Sequence, residues 1–264
     1  GRIEANTSIL GGIGYATGVQ AYGTYTSIHN AADASITATV DAELFGGAFA
    51  TAVEAGGMYS VGVVNDGDIT AYGHANAFSE GTNGFYGASG AAGIYVNASF
   101  QGDAMVVNNG DINAIAIAEN SVRWAQGGAG ATGVNAYAKY DASIINTGDI
   151  NVIADAQFGN VAAYGAFARG KYSSHIINEA GASIVASASV GSLEGDQYAG
   201  SAVSFGTQIF KRGMDDAVTY NAGSIVSHAV VTPDGTQTPI GSNAIAFGRF
   251  IRYNSPVLKG EGGN

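Results

Sequence analysis

The amino-acid sequence predicts an all-β protein, a right-handed parallel β-helix of about seven coils with 33–43 residues each. Three observations lead to this prediction. A turn motif that contains asparagine and ends in isoleucine recurs along the chain, small and apolar residues alternate after each copy, and the alternating residues are mostly alanine. A unit that recurs at such intervals is typical of solenoids, and an alternation with period two is typical of strands.

The turn motif defines the repeat. It reads Asn-Asp-Gly-Asp-Ile at 65–69, Asn-Asn-Gly-Asp-Ile at 108–112 and Asn-Thr-Gly-Asp-Ile at 146–150. The isoleucine at this place serves as a phase marker in every copy: Ile3, Ile36, Ile69, Ile112, Ile150, Ile184 and Ile225. Cutting two residues before each marker gives coils that begin near residues 1, 34, 67, 110, 148, 182 and 223. We therefore predict one solenoid domain, 1–264, with 260–264 as a loose tail.

Each coil is predicted to hold three short strands. In the strand after the marker of the fourth coil, the predicted inward residues are Ile112, Ala114, Ala116 and Ala118. A second strand precedes the turn, and its predicted inward residues in two coils are Val134, Ala136, Ala138, Tyr140 and Val19, Ala21, Gly23, Tyr25. A third strand ends at the asparagine. A helical array is disfavoured by the alternation and by 41 glycines, because each glycine inside a helix costs about 1 kcal/mol relative to alanine.

The recurring asparagine predicts a ladder along the solenoid. Asparagine suits tight bends because it tolerates the left-handed conformation and hydrogen-bonds to backbone. Identical side chains in stacked coils can also bond to one another, amide on amide. The predicted ladder consists of Asn30, Asn65, Asn108, Asn146, Asn178 and Asn221.

Composition limits the classes of partner. A net charge of −11 with 12% charged residues argues against nucleic acid and against anionic membrane surfaces. No apolar stretch is long enough for a transmembrane segment. The first residues read as the middle of a repeat, so we expect a mature or trimmed piece of a longer protein. The sequence has no cysteine, and stacked coils do not need disulfides.

Insertions follow the alternating strand in four coils, at 78–87, 119–127, 193–198 and 232–236. All four loops are expected to leave the solenoid along one edge. Insertions on one side of a solenoid often mark its binding face, but surface loops also accept insertions without any function. Both interpretations stay open.

Carboxylates and histidines are the candidate site residues in this sequence. Asp68, Asp111 and Asp149 share one position in successive coils, where either a cation bridges them or turn amides hold each carboxylate. We expect the second. The histidines His29, His74, His175 and His228 lack a recurring partner and are expected at the surface. The sequence therefore predicts no catalytic residue, no cofactor and no metal ligand.

Four aromatic residues suggest an interaction row. Tyr22, Tyr137, Phe205 and Phe247 are predicted at equivalent outward positions on the second strand. Exposed aromatic rows stack on sugars or bury themselves against another protein. A register error of one residue would instead turn them into interior residues.

The repeat resembles a known family. Tandem Asn-x-Gly-[Asp/Ser]-Ile-x-Ala-x-Ala units with Gly-Val-x-Ala-Tyr-[Ala/Gly] strands are similar to the passenger regions of Gram-negative autotransporters and haemagglutinin-type surface proteins. The resemblance covers essentially the whole chain, and it carries no catalytic residue. It implies export to the outer-membrane surface or the extracellular space, with an adhesive or structural role.

Two classes of function follow as expectations. The first is a structural or adhesive surface protein that contacts glycans or host surfaces. Its coils could stack end to end in a filament, with lateral contacts through the aromatic row. Pro256 and Lys259 in the last coil are the only protective features at either end. The second is a carbohydrate-active β-helix enzyme, a lyase or hydrolase, with a site along the loop edge.

Overall fold

A computed structural model describes residues 1–43, 46–77, 87–120, 127–191, 200–211, 216–232 and 243–253. Strands account for 81% of these residues, and there is no helix among them. The prediction of an all-β parallel β-helix is confirmed. Its right-handedness stays a prediction.

The described chain forms eighteen strands. In chain order they are β1 Arg2–Ile9, β2 Gly12–Asn30, β3 Ser35–Ala42, β4 Gly46–Asn65, β5 Asp68–Ala77, β6 Ser89–Ala98, β7 Asp103–Asn108, β8 Asp111–Asn120, β9 Ala129–Ala138, β10 Asp141–Asn146, β11 Asp149–Ala156, β12 Asn160–Gly170, β13 Ser173–Asn178, β14 Ser183–Val190, β15 Ser201–Lys211, β16 Ala217–Asn221, β17 Ser224–Val231 and β18 Asn243–Tyr253.

The strands that follow the turns form one parallel sheet of seven strands, in the order β1-β3-β5-β8-β11-β14-β17. Its register places the marker isoleucines in one column, because Ile3 pairs with Ile36, Ile36 with Ile69 and Ile69 with Ile112. The same column continues through Ile150, Ile184 and Ile225. The repeat phase read from the sequence is therefore the register of the sheet.

The second sheet contains both remaining strands of each coil. Strands β2 and β4 are 19 and 20 residues long and pair with each other. In the next coils, this long strand is divided: β6 and β7 both pair with β4, on its first and second halves. The divided strands continue as β9, β12, β15 and β18 on one side and as β10, β13 and β16 on the other.

The core between the sheets is built from small side chains. Ile112, Ala114, Ala116 and Ala118 are buried as predicted, and so are Val134, Ala136 and Ala138. Three predictions of inward residues are wrong, because Tyr25 is 73% exposed, Gly23 is also exposed and Tyr140 is half-buried. In the first coil, Val19 and Ala21 are half-buried.

Several predicted features fall outside the described residues. These are most of the four insertions, the tail 260–264, and Pro256 and Lys259. Within the described ranges, no helix has the length and apolar character that a membrane crossing requires.

Candidate functional site

The structure brings the six ladder asparagines into one column. Asn30 Nδ2 donates to Asn65 Oδ1 at 2.7 Å, and the next four amides donate in the same direction at 2.8 Å each, ending at Asn221. The amides also donate to turn carbonyls, as Asn108 does to Gly110 at 2.8 Å. Asn65, Asn108, Asn146 and Asn178 are fully buried. The column is therefore structural and is not open to a ligand.

The three aspartates also stand in one column, on the exposed side of the turn. Asp68 pairs with Asp111 and Asp111 with Asp149, and all three are exposed. The expectation that turn amides hold these carboxylates is wrong. The turn amides bond instead to the preceding coil, as Asp68 N does to the carbonyl of Ala34 at 2.9 Å. The Ser183 hydroxyl donates to Asp149 at 2.7 Å.

The described part of the chain has no group of three or more histidine, cysteine or carboxylate side chains that could hold a metal ion. Two histidines nevertheless contact carboxylates. His29 Nε2 lies 2.6 Å from Asp66, and this contact together with a hydrogen bond from Asn109 holds the pKa of Asp66 below its usual value. The Asn109 hydrogen bond is the larger of these two causes.

The second histidine, His74, lies between two carboxylates on the outer face of the seven-stranded sheet. Its Nδ1 is 2.9 Å from Asp41, and its Nε2 is 3.7 Å from Glu119. Tyr72 lies beside it, with ring centroids 6.4 Å apart. Burial, followed by the charges of Asp41 and Glu119, raises the pKa of Tyr72. This group stands just before the points where β5 and β8 lead into the long insertions.

The predicted aromatic row is wrong, because its four members lie in two columns. Tyr137 pairs with Arg169, and Tyr22 belongs to the same column. Phe205 pairs instead with Tyr164 on one side and with Phe247 on the other. The rings of Phe205 and Tyr164 stack at 5.4 Å, and those of Phe205 and Phe247 at 5.3 Å. Phe205 is 8% exposed, so only part of the predicted row is accessible.

A different aromatic column lies at the bend between the second and third strands. It contains one aromatic residue from each of the first five coils: Tyr25, Tyr59, Phe100, Tyr140 and Tyr172. Neighbouring rings are in contact in two groups, with Tyr25 and Tyr59 at 5.7 Å, Tyr59 and Phe100 at 6.2 Å, and Tyr140 and Tyr172 at 5.2 Å. We name these five residues the corner column.

Sequence reasoning missed the corner column although it has a sequence signal. Each of its members lies five to eight residues before a ladder asparagine, from Tyr25 before Asn30 to Phe100 before Asn108. Strict alternation placed Tyr25 and Tyr140 inside. The chain bends at these residues, and the pairing of β2 with β4 shifts between Gly23 and Tyr25.

Two surface cavities lie beside the corner column. The first, of about 350 Å³, is lined by Tyr22, Glu54, Tyr95 and Asn97. Tyr22 donates a hydrogen bond to Glu54, which raises the pKa of Tyr22. The pKa of Tyr95 is raised chiefly by burial. This cavity is thus walled by two tyrosines and one carboxylate.

The second cavity, of about 210 Å³, carries the opposite charge. Its walls include Tyr137, Lys139, Arg169 and Lys171, and it shares Ser99 with the first. The guanidinium of Arg169 lies 4.9 Å from the centre of the Tyr137 ring. The amine of Lys171 lies 4.8 Å from the centre of the ring of Tyr172, a member of the corner column. We name this second cavity the basic groove.

Comparisons with protein-family profiles, with curated proteins and with solved structures found no match. The chemistry of the site itself therefore indicates what it can bind. Its main features are exposed aromatic rings at a repeated position and two shallow cavities of opposite charge beside them.

Proposed function

We propose that this chain is an adhesive surface protein that binds its target through the corner column and the adjoining cavities. The observation that carries the proposal is the repeated exposure of aromatic rings at one bend: Tyr25 is 73% exposed, Phe100 53%, Tyr172 42% and Tyr59 39%. Contiguous exposed apolar surface marks interaction sites. Aromatic rings are also effective at such sites, because they bury a large area and can stack on flat partners.

Glycans and cell surfaces fit this face as targets. The rings follow the solenoid axis at the coil spacing, about 4.8 Å, and the cavities beside them present hydroxyl, amide and charged groups for hydrogen bonds. The resemblance to autotransporter passenger regions supports a place at the outer-membrane surface or outside a Gram-negative cell. Antibody labelling of intact and of permeabilised cells that express the chain would test that location.

Adhesion is tested by removing the rings. The variant with Tyr25→Ser, Tyr59→Ser and Phe100→Ser should bind epithelial cell layers at least about tenfold more weakly than wild type, which corresponds to 1.4 kcal/mol. The matched control is Tyr220→Ser, because Tyr220 is 54% exposed but lies outside the corner column. Equal binding by the triple variant and wild type would contradict the proposal.

Self-association end to end is part of the proposal. Strands β1 and β17 are the outer strands of the parallel seven-stranded sheet. Stacking β17 of one copy against β1 of another would continue the sheet in parallel register. Light scattering and negative-stain images at micromolar concentration should show short filaments. A monodisperse particle of one chain would contradict this part.

A carbohydrate-active enzyme is the second candidate, and the surroundings of His74 favour it. A histidine that contacts both Asp41 and Glu119 has the partners that general acid–base catalysis uses. The test is release of reducing or unsaturated ends from a panel of polysaccharides. Activity that His74→Ala abolishes, with the fold intact by circular dichroism, would support an enzyme. Absence of activity on the whole panel would count against it.

A further inference from the structure

Three cations are gathered on one face of an acidic protein. The chain has ten lysines and arginines against 21 acidic residues, yet Lys139, Arg169 and Lys171 line the same small cavity. Arg169 pairs with Tyr137, and Lys171 and Lys139 lie immediately after the ends of the two strands, β12 and β9. Like charges that line one small cavity repel each other. The fold gains nothing from this arrangement by itself.

No carboxylate of the described residues forms an ion pair with these cations. Within the described ranges, the ion pairs involve Arg2, His29 and His74, and none includes a residue of the basic groove. The nearby Asp141 is engaged elsewhere, because its carboxylate accepts the backbone N–H of Ser173 at 2.9 Å. Arg169 and Lys171 lie instead over tyrosine rings. Such stacking orients a cation. Lys171 Nζ also donates to the hydroxyl of Tyr172 at 3.3 Å, which leaves two of its three N–H groups for a ligand.

We propose that the basic groove binds an acidic sugar unit of a glycan. The carboxylate or sulfate of that unit would accept hydrogen bonds from Arg169 and the two lysines, which are charge-assisted and therefore strong. Its ring would pack beside Tyr137. The volume of about 210 Å³ is below the roughly 300–1,000 Å³ of sites that enclose a whole small molecule. The groove therefore takes one unit, and the rest of the glycan extends along the solenoid.

The neighbouring cavity further limits the class of ligand. Glu54 lies in the cavity that adjoins the basic groove through Ser99, so a second anionic group one unit away would meet a carboxylate. The net charge of −11 also repels a polymer that carries a negative charge on every unit. Single-stranded nucleic acid needs a positive track along its whole backbone. The ligand is therefore a glycan with an isolated acidic sugar followed by neutral ones.

This inference rests on the proposed adhesive function, and it is tested with the whole chain. The probe is a glycan array that carries sialylated, uronic-acid and sulfated glycans beside their neutral counterparts, with a thymidine oligonucleotide as a separate probe. Binding should be confined to the acidic glycans. Titration calorimetry with the best acidic glycan should then show affinity reduced at least about tenfold by Arg169→Gln and by Lys171→Gln.

Arg252→Gln is the matched control. Arg252 stands in the same column as Arg169 and likewise lies over an aromatic ring, that of Phe210 at 5.7 Å, but it is outside the groove. Its affinity should equal that of wild type. Four results would each overturn the inference. The first is an equal loss of affinity in Arg252→Gln, and the second is equal binding of neutral glycans. The others are tighter binding of the oligonucleotide and no binding of acidic glycans. If cell adhesion still depends on the corner column in that event, the adhesive function stands without this ligand.

Discussion

Gly133 packs directly against Ile150, the marker isoleucine of the next coil. A β-carbon added to Gly133 would lie 2.4 Å from Cγ2 of Ile150 and 2.6 Å from the carbonyl oxygen of Gly165. Gly165 has the same relation to Ile184, again at 2.4 Å. The glycine backbone and the isoleucine side chain thus pack together in successive coils. The two sheets can come this close at these positions because glycine has no β-carbon.

Gly133→Ala should therefore destabilise the protein by about 1–3 kcal/mol through overpacking. Urea unfolding followed by circular dichroism gives the free energy of unfolding. The matched control is Gly130→Ala in the same strand, where an added β-carbon has no atom within 4 Å. The control should stay within about 0.5 kcal/mol of wild type. Equal effects of the two substitutions would show that this packing is loose.

The buried amide column predicts a second position-dependent effect. Asn108→Leu would leave the Nδ2 group of Asn65 and the Oδ1 atom of Asn146 without partners inside the protein. Each orphaned buried group costs about 1–3 kcal/mol. Asn221 lies at the exposed end of the column, so water can replace its bonds and Asn221→Leu should cost clearly less. Melting temperatures of the two variants give the comparison, and a smaller loss for Asn108→Leu would contradict it.

The sequence predicted the features that recur from coil to coil. The marker isoleucines and ladder asparagines fix the register because each has a role with its neighbours in the stack: Ile112 fills the core, and Asn108 bonds to the coils above and below. They are therefore visible in the sequence as a repeat. No such constraint acts on surface residues, which vary from coil to coil.

The outer aromatics were misplaced because the second strand does not alternate throughout. At Gly133 and Val134, two successive residues are buried, so counting by two across this point exchanges the faces. Tyr137 follows the buried pair Gly133 and Val134 in its strand, whereas Phe205 precedes the equivalent position in β15. The predicted row is therefore split between two columns. A glycine marks the point where the alternation changes, and aligning the coils on that glycine separates the two aromatic columns.

A half-buried tyrosine, Tyr164, predicts loss of stability in alkali. Burial raises the pKa of Tyr164 above its ordinary 10.0. A raised pKa in the folded state contributes stability that is complete below pH 10 and disappears as pH rises through the folded pKa, because the unfolded tyrosine ionises first. Unfolding free energy should therefore fall from about pH 10 upward. Tyr164→Phe should reduce the slope, and an unchanged slope would contradict the assignment.

The aspartate column predicts how the protein responds to metal removal and to salt. Asp68, Asp111 and Asp149 are exposed carboxylates at the coil spacing, and among the described residues no metal-binding group includes them. Their mutual repulsion is screened by solvent and salt. Chelator should leave the melting temperature unchanged. Added salt should reduce the destabilisation that the repulsion within this column causes.

Asp111→Asn tests the repulsion within that column most directly, because Asp111 has a like charge on both sides. Removing its charge should stabilise the protein by about 0.2–1 kcal/mol at low salt, and the gain should shrink as salt is added. Asp149→Asn is the matched comparison, since Asp149 has one aspartate neighbour and one hydrogen bond from Ser183. It should gain less or lose slightly. A melting temperature that falls on chelation, returns with calcium and is lowered by Asp111→Asn would instead make the three carboxylates cation ligands.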